Sequence, residues 1–394
     1  MPDDRDLLCT LDLRRCHSEP ELKSLHEEFE QFDHYRHLVS QVTGLNHHPR
    51  QPPQTNPHNM PLPFAALGNM LASDTDHHID TRWLQSYAVG IRDYNPAYLT
   101  SSSSTTNMQP THDFHRQGVQ GSGVIAHPVF VWAVEWPMLW LQSAQLMAVQ
   151  GKPFQLQSSE RGGAVHYGED IILHRPIQCN DALTFTTTVV EISQRKQGTM
   201  TTYKFVHRDR NNQPVATTWN RTYWRGVGIE GQETTTAAVP ARLVNEMPPP
   251  LPKLKLRHDA TPLFSFPIEV HPHEGIVYSE CARIWNPIHS DTATAQASGL
   301  PAAILHGTAS MAKCVTQIID RFVVGRDPKK VCRVVVEKFG GVVLMPSFPI
   351  MHVWEIMPWK NGTTAVHYSL INEEGKNAIQ GGFVVFRGGL ASSL

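Results

Sequence analysis

The sequence predicts an α+β protein of two similar bodies, each an antiparallel sheet wrapped around one long helix. Two Asn-Pro dipeptides, at Asn95 and at Asn286, lie 191 residues apart in the chain. Each dipeptide is followed by an apolar stretch of helical length and then by three strand-like runs separated by turn-like segments. The same order of elements, found twice, indicates internal duplication.

The elements of the two bodies can be placed from these patterns. The two helical stretches begin at His127 and at His306. Alternating and β-branched runs predict three strands per body, at 182–193, 199–209 and 214–225 in the first and at 348–357, 363–372 and 377–387 in the second.

Two segments rich in proline set the expected domain boundaries. An N-terminal extension covers 1–62, with a helix expected at 18–43 before a Pro/His-rich linker. The first body then covers 63–230, a Pro-rich linker 231–260, and the second body 261–394. A Ser/Thr-rich insert at 100–123 in the first body predicts a loop.

Composition narrows the class of protein. The 394 residues carry a formal net charge of −2, which gives no electrostatic reason to expect nucleic acid or an anionic membrane as partner. The six cysteines are scattered, as in a reduced intracellular chain. We expect a cytoplasmic protein without a signal peptide or membrane span. A peroxisomal location is the alternative, because "ASSL" at the C-terminus is a faint relative of the Ser-Lys-Leu signal.

The stretch around the second Asn-Pro carries candidate catalytic groups. Asn286 is a good N-cap and Pro287 a good first helical residue, and we expect this helix to end at Gly299. His289 would then lie in the first turn, near the positive end of the helix dipole, which favours a neutral imidazole that can act as a base. Asp291 is close enough in sequence to orient it.

Gly307 is expected to open the next, longer helix. Its backbone N–H would have no partner within the helix, so a carbonyl oxygen placed there would receive a hydrogen bond together with the helix dipole. A base and an oxyanion donor are the minimum set for moving a proton beside a carbonyl group.

The first body has lost both groups. Tyr98 stands at the position of His289, and Pro128, which has no N–H, stands opposite Gly307. Conversely, the first body keeps an acid, Asp93, where the second has Ile284. The two copies therefore lack complementary parts.

The motifs "WNPIH" and "GLPAAILHG" resemble the MaoC-like (R)-specific enoyl-CoA hydratases and dehydratases, whose pattern is Asp-x-Asn-Pro-x-His followed by Pro-x-x-His-Gly. The stretch "VHYGEDIILHRPI", residues 165–177, is similar to a further part of that family. The similarity covers roughly residues 80–390 and implies a double hot dog fold with a thioester between the halves. The first half would be degenerate and would accommodate the acyl chain.

This resemblance implies reversible syn hydration of a trans-2-enoyl thioester, or dehydration of an (R)-3-hydroxyacyl thioester. It gives His289 the role of activating water, the Gly307 N–H that of holding the thioester oxygen, and Asn286 that of shaping the turn. The expected substrate-binding residues are His306, Trp285, Tyr98 and Asp93.

This sequence departs from the family pattern at the position of the catalytic aspartate. The family's catalytic Asp falls at Ile284. "PIHSD" is similar to a version of the motif with Asp two residues after His, which makes Asp291 a substitute. A composite site that uses Asp93 requires the two halves to bring it close.

The expected partner is an acyl thioester of CoA or of an acyl carrier protein, with no metal or redox cofactor, and a homodimer is compatible with the sequence. The histidines at 47–48, 77–78 and 271–273 lack further ligands at metal-binding spacing. Two alternatives remain open: a thioesterase on the same fold, and a non-catalytic subunit that only binds acyl thioesters.

Overall fold

A computed structural model describes residues 62–72, 76–99, 123–149, 164–230, 241–253 and 261–391, all within one compact unit. The helix predicted at 18–43 and, apart from Gly123, the loop predicted at 100–123 lie outside these residues. The domain boundaries proposed from the sequence remain a proposal, although a described part of the second linker, 241–253, begins with a short helix.

The described helices follow the order α1 to α7. Their bounds are Thr81–Gly90 (α1), Pro96–Leu99 (α2), Val131–Leu146 (α3), Ala241–Val244 (α4), Glu274–Ala282 (α5), Thr292–Ala297 (α6) and Gly307–Phe322 (α7). No helix in the described segments has the length and hydropathy needed to cross a membrane.

Thirteen strands are numbered β1 to β13 in the part of the chain that the structure describes. Those of the first half are Leu62–Pro63 (β1), Met70–Ala72 (β2), His77–His78 (β3), Ala164–Leu173 (β4), Ala182–Arg195 (β5), Gly198–Arg208 (β6), Pro214–Arg225 (β7) and Ile229–Glu230 (β8). Those of the second are Phe264–Pro267 (β9), Val331–Phe339 (β10), Ile350–Trp359 (β11), Thr363–Ile371 (β12) and Asn377–Arg387 (β13).

The predicted α+β architecture is confirmed, and each half forms an antiparallel meander. The long strands follow the order β2-β5-β6-β7-β4-β10-β13-β12-β11-β9 in one continuous sheet, and β3 also pairs with β5. The six strands predicted from alternation are all present, close to their expected bounds. The sequence analysis did not predict β4 or β10, because their residues are buried on both faces and show little alternation.

The two halves join at the antiparallel pair β4–β10, where Ile171 lies opposite Val334. A buried ion pair crosses this seam: Arg333 donates to both carboxylate oxygens of Asp170, at 2.9 and 2.6 Å. Arg333 also donates to the Pro249 carbonyl at 2.6 Å, which fixes part of the linker on the sheet.

The long helix of the second half forms its core. Most residues of α7 are buried, among them Met311, Cys314, Ile318 and Phe322. In the first half, α3 begins at Val131, four residues after His127, the expected start. Helices α1 and α5, which occupy equivalent places in the two halves, pack against each other.

Candidate functional site

The Asn-Pro segment of the second half is two short helices rather than one. Asn286 caps a single 3-10 turn, Pro287–His289, by accepting from the Ile288 N–H at 3.4 Å. Asp291 then caps α6, and its carboxylate accepts from the Thr294 N–H at 2.6 Å. The prediction of one continuous helix from 286 to Gly299 is therefore wrong. A second capping residue, Asp291, begins a new helix after the 3-10 turn.

His289 is half-buried. Its Nδ1 lies 2.8 Å from the Ile304 carbonyl oxygen. A carbonyl can only accept, so Nδ1 carries the proton and Nε2 keeps a free lone pair. Burial lowers the pKa of His289 to about 4, so the ring is neutral at ordinary pH, as expected, although burial is the cause rather than a helix dipole.

His306 stacks on His289, with ring centroids 3.6 Å apart and planes at 23°. Its Nε2 lies 3.3 Å from the Ile284 carbonyl oxygen and 3.4 Å from Ser279 Oγ. Burial and the neighbouring His289 lower the pKa of His306 well below its usual value. The stack is therefore a pair of neutral imidazoles.

Gly307 is the first residue of α7, as the sequence predicted, and His306 is the N-cap of this helix. A Cβ on Gly307 would lie 2.9 Å from Cδ1 of Phe339, so only glycine fits against that ring. The amide groups of this first turn lack partners within the helix. They directly follow His306, one of the two stacked imidazoles, in the chain.

The structure does not give Asp291 the position of a second catalytic group. Its side chain is exposed and serves as a cap, and the hydrogen bond from Thr294 lowers its pKa. Ile284, at the position of the family's Asp, is buried and contributes its backbone carbonyl to His306.

Asp93 is buried in a different part of the molecule. Its carboxylate accepts from Thr316 Oγ1 at 2.7 Å and lies 3.9 Å from His127 Nε2. Thr316 is nine residues along α7 from Gly307, about 13 Å of helix. This distance argues against the composite site in which Asp93 would join His289.

The remaining expected substrate-binding residues are in different environments. Tyr98 is fully buried, and its ring meets that of His127 edge-on at a centroid distance of 5.5 Å. Trp285 is 41% exposed and lies at the surface. Of the four, His306 stacks directly on His289.

A groove of about 650 Å³ lies where strands of the two halves meet. It is lined by residues of both halves, and Phe339, which packs on Gly307, is one of its walls. The cationic residues at its edge are Arg225, Lys338 and Lys376.

Sequence reasoning missed Phe339 and Tyr278. The Tyr278 ring lies 4.8 Å from that of His306. Its hydroxyl donates to Thr308 Oγ1 at 3.1 Å. Tyr278 could have been found, since it follows Tyr87 at the same spacing that relates the two Asn-Pro dipeptides. Phe339 carries no comparable signal.

The comparisons with known proteins agree with this fold. Residues 254–355 match the family model described as "MaoC like domain". A search of curated proteins found no match.

Solved structures cover most of the chain at low identity. A MaoC-like dehydratase from Phytophthora capsici is 19% identical, with a TM-score of 0.60 over 82% of this chain and 97% of that one. HtdX of Mycobacterium tuberculosis is 15% identical, with a TM-score of 0.50 over 81% and 99%.

The peroxisomal multifunctional enzyme type 2 from Drosophila melanogaster is 15% identical, with a TM-score of 0.53. The match covers 81% of this chain but 48% of that enzyme, so this chain spans about half of its length. The class of protein defined by fold and site is thus the double hot dog. Within it, the second half carries a MaoC-like domain.

Proposed function

We propose that this protein is a hydro-lyase that adds water reversibly to a 2-enoyl thioester at the second half. The observation that carries the proposal is the neutral His289, which keeps a free Nε2 lone pair and whose ring stacks on His306, the N-cap of α7. This arrangement supplies a base and an oxyanion donor next to each other.

In the hydration direction, Nε2 of His289 takes a proton from water while the water oxygen forms a bond to C3 of the enoyl group. The C2–C3 π electrons move toward the thioester carbonyl, whose oxygen accepts from the Gly307 N–H. His289 then returns its proton to C2. One residue can perform both transfers, so the pathway does not require an acid at Ile284.

The groove supports a thioester as the substrate. It adjoins Gly307 through Phe339, and Arg225, Lys338 and Lys376 can pair with the phosphates of CoA or of a carrier-protein arm. Lys376 also pairs with Glu374 at 2.6 Å, which limits its share of the positive charge. The aromatic rings of Tyr167 and Tyr223 form the apolar wall of the groove.

Ile284 favours a second candidate function, namely a subunit that binds acyl thioesters without turning them over. The usual carboxylate is replaced by an apolar side chain, and Asp291 is engaged in capping. Such a subunit would bind enoyl-CoA but leave it unchanged.

The test is incubation of the full chain with a series of trans-2-enoyl-CoAs of increasing length. Loss of the enoyl absorbance, the chirality of the 3-hydroxyacyl product and release of free thiol would be followed together. We expect (R)-3-hydroxyacyl-CoA without thiol. Thiol release would indicate a thioesterase, and binding without turnover would indicate the binding subunit.

The decisive variant is His289→Gln, with His352→Gln as matched control. His352 lies on β11, next to the edge strand β9, and forms a hydrogen bond with Ser265 of β9 at 2.7 Å. We expect the first to lose turnover by about 10²- to 10⁴-fold and the second to keep it. Equal activities of the two variants would exclude His289 as the base.

A further inference from the structure

The interior of the first half contains a cluster of ionisable side chains that the proposed reaction does not use. We define the inner polar cluster as Glu135 on α3, Glu169 and His166 on β4, His207 on β6 and Asn220 on β7. All except His166 are at most 1% exposed. A hot dog core needs no such groups, and burying them is costly unless they are hydrogen-bonded.

Part of the cluster is satisfied internally. Glu135 Oε1 accepts from Thr218 Oγ1 at 2.5 Å and lies 2.7 Å from His207 Nε2. Glu169 Oε2 accepts from Asn220 Nδ2 at 3.2 Å and lies 3.0 Å from His166 Nε2. Each carboxyl thus uses one oxygen.

The second oxygen of each carboxyl has no hydrogen-bond partner among the described residues. Glu135 Oε2, Glu169 Oε1 and His207 Nδ1 are buried and have no hydrogen-bond partner among the described residues. Burial raises the pKa of Glu169 well above its usual value, and the neighbouring carboxyl of Glu135 is the second cause. Glu135 Oε2 and Glu169 Oε1 are thus carboxyl oxygens that no donor among the described residues fills.

The cluster is linked by ring contacts to the candidate active site. His166 stacks on Trp132 at 4.4 Å and contacts the Phe339 ring at 4.8 Å. Phe339 in turn packs on Gly307. A chain that extends from a thioester at Gly307 into the first half would therefore pass these rings toward Glu169.

The second half has no counterpart at the central position. By the spacing that relates Pro128 to Gly307, Glu135 corresponds to Cys314, which is fully buried. Equivalent positions in the two cores therefore hold a carboxyl in the first half and a thiol in the second.

We propose that the inner polar cluster is a binding subsite for a hydroxyl group on the acyl chain of the thioester. This inference rests on the proposed function and names the class of its substrate, a hydroxylated acyl thioester. A hydroxyl donates to a vacant carboxyl oxygen without bringing a further charge into the core.

The experiment measures binding of saturated acyl-CoAs, which cannot be hydrated, to the full chain by calorimetry. In one series a hydroxyl moves along the chain one carbon at a time from C4 outward, because a 3-hydroxyacyl-CoA is the product of the proposed reaction and could be dehydrated. Matched ligands carry hydrogen or fluorine instead, and fluorine is of similar size but has no proton to donate. At one position we expect the hydroxyl ligand to bind about tenfold more tightly than both matched ligands.

Glu135→Gln is the informative variant, because its amide oxygen can keep the contacts to Thr218 and His207 while an NH₂ replaces Oε2. We expect it to bind the hydroxyl and fluorine ligands within about twofold of each other. Cys314→Ala, the matched control in the other half, is expected to keep the wild-type ratio.

Equal affinity of wild type for the three ligands at every position would overturn this inference and leave hydration untouched. Hydroxyl preference without turnover of the enoyl-CoAs would overturn the proposed reaction and support the subsite. Failure to bind any acyl-CoA would overturn both. The wild-type comparison decides the matter even if Glu135→Gln does not fold.

Discussion

The hydroxyl oxygens of Tyr87 and Tyr278 lie 3.4 Å apart, and the residues are separated by 191 positions, as are Asn95 and Asn286. A residue that contacts its own repeat equivalent lies beside the pseudo-twofold axis of the duplicated fold. Gly90 and Cys281 have the same spacing and also meet, since a Cβ on Gly90 would lie 2.7 Å from that of Cys281. The axis therefore runs between α1 and α5.

The stability of the protein should depend on pH through His289. Its pKa is about 4 in the folded protein and about 6.5 in the unfolded chain, so below about pH 6.5 the unfolded state binds more protons. This group's contribution to stability is complete above pH 6.5 and falls by about 1.4 kcal/mol per pH unit as pH drops toward 4. Urea unfolding should thus show a shallower pH dependence in His289→Gln than in wild type. Parallel curves would contradict a depressed pKa.

Adding one methyl group at Gly307 should impair catalysis. Gly307→Ala forces its Cβ against Phe339 and moves the first turn of α7, so kcat should fall by about 10²-fold. Phe339→Leu combined with Gly307→Ala should recover part of the loss by making room. Gly389→Ala adds the same methyl where nothing lies within 4 Å, and it should leave kcat unchanged.

Asp291 should matter for stability and little for turnover. Asn caps helices as well as Asp does, so Asp291→Asn should retain both activity and stability. Asp291→Ala removes the bond to Thr294 and should cost about 1 kcal/mol in the free energy of unfolding. A large loss of kcat in Asp291→Asn would restore the carboxylate as the catalytic acid.

Asp93 should stabilise the contact between the two halves through its hydrogen bond from Thr316. Asp93→Ala leaves the Thr316 hydroxyl and the Asn95 N–H without their acceptor, which should cost about 2–3 kcal/mol of stability. Asp93→Asn keeps an acceptor and should cost less. Turnover of folded protein should be similar to wild type in both. If it falls steeply in Asp93→Asn without a change in stability, the composite site was correct.

The seam between the halves should be sensitive to single but not to paired substitution. Arg333→Met leaves Asp170 buried without its partner, and we expect a loss of about 3–5 kcal/mol in urea unfolding. The double variant Arg333→Met, Asp170→Leu should regain most of it, because neither charge is then buried alone. A double variant that is as unstable as Arg333→Met alone would contradict this account of the seam.

Much of the fold was predictable from the sequence because duplication and alternation are local patterns. The six alternating strands and the start of α7 at Gly307 followed from them. Strands β4 and β10 were missed because burial on both faces removes the alternation that identifies a strand. The break at Asp291 was missed because Asn286 and Asp291 are both good caps, and local propensity cannot rank them.

The sequence by itself determined that the second copy keeps His289 and Gly307, while the first keeps Asp93. Only the tertiary structure decided what these residues contact. Stacking on His306 and the bond to Ile304 define the protonation of His289, and Thr316 holds Asp93 about 13 Å of helix away from Gly307. Contacts between residues far apart in the chain depend on how the halves pack, and the pattern of residues within one segment does not predict this packing.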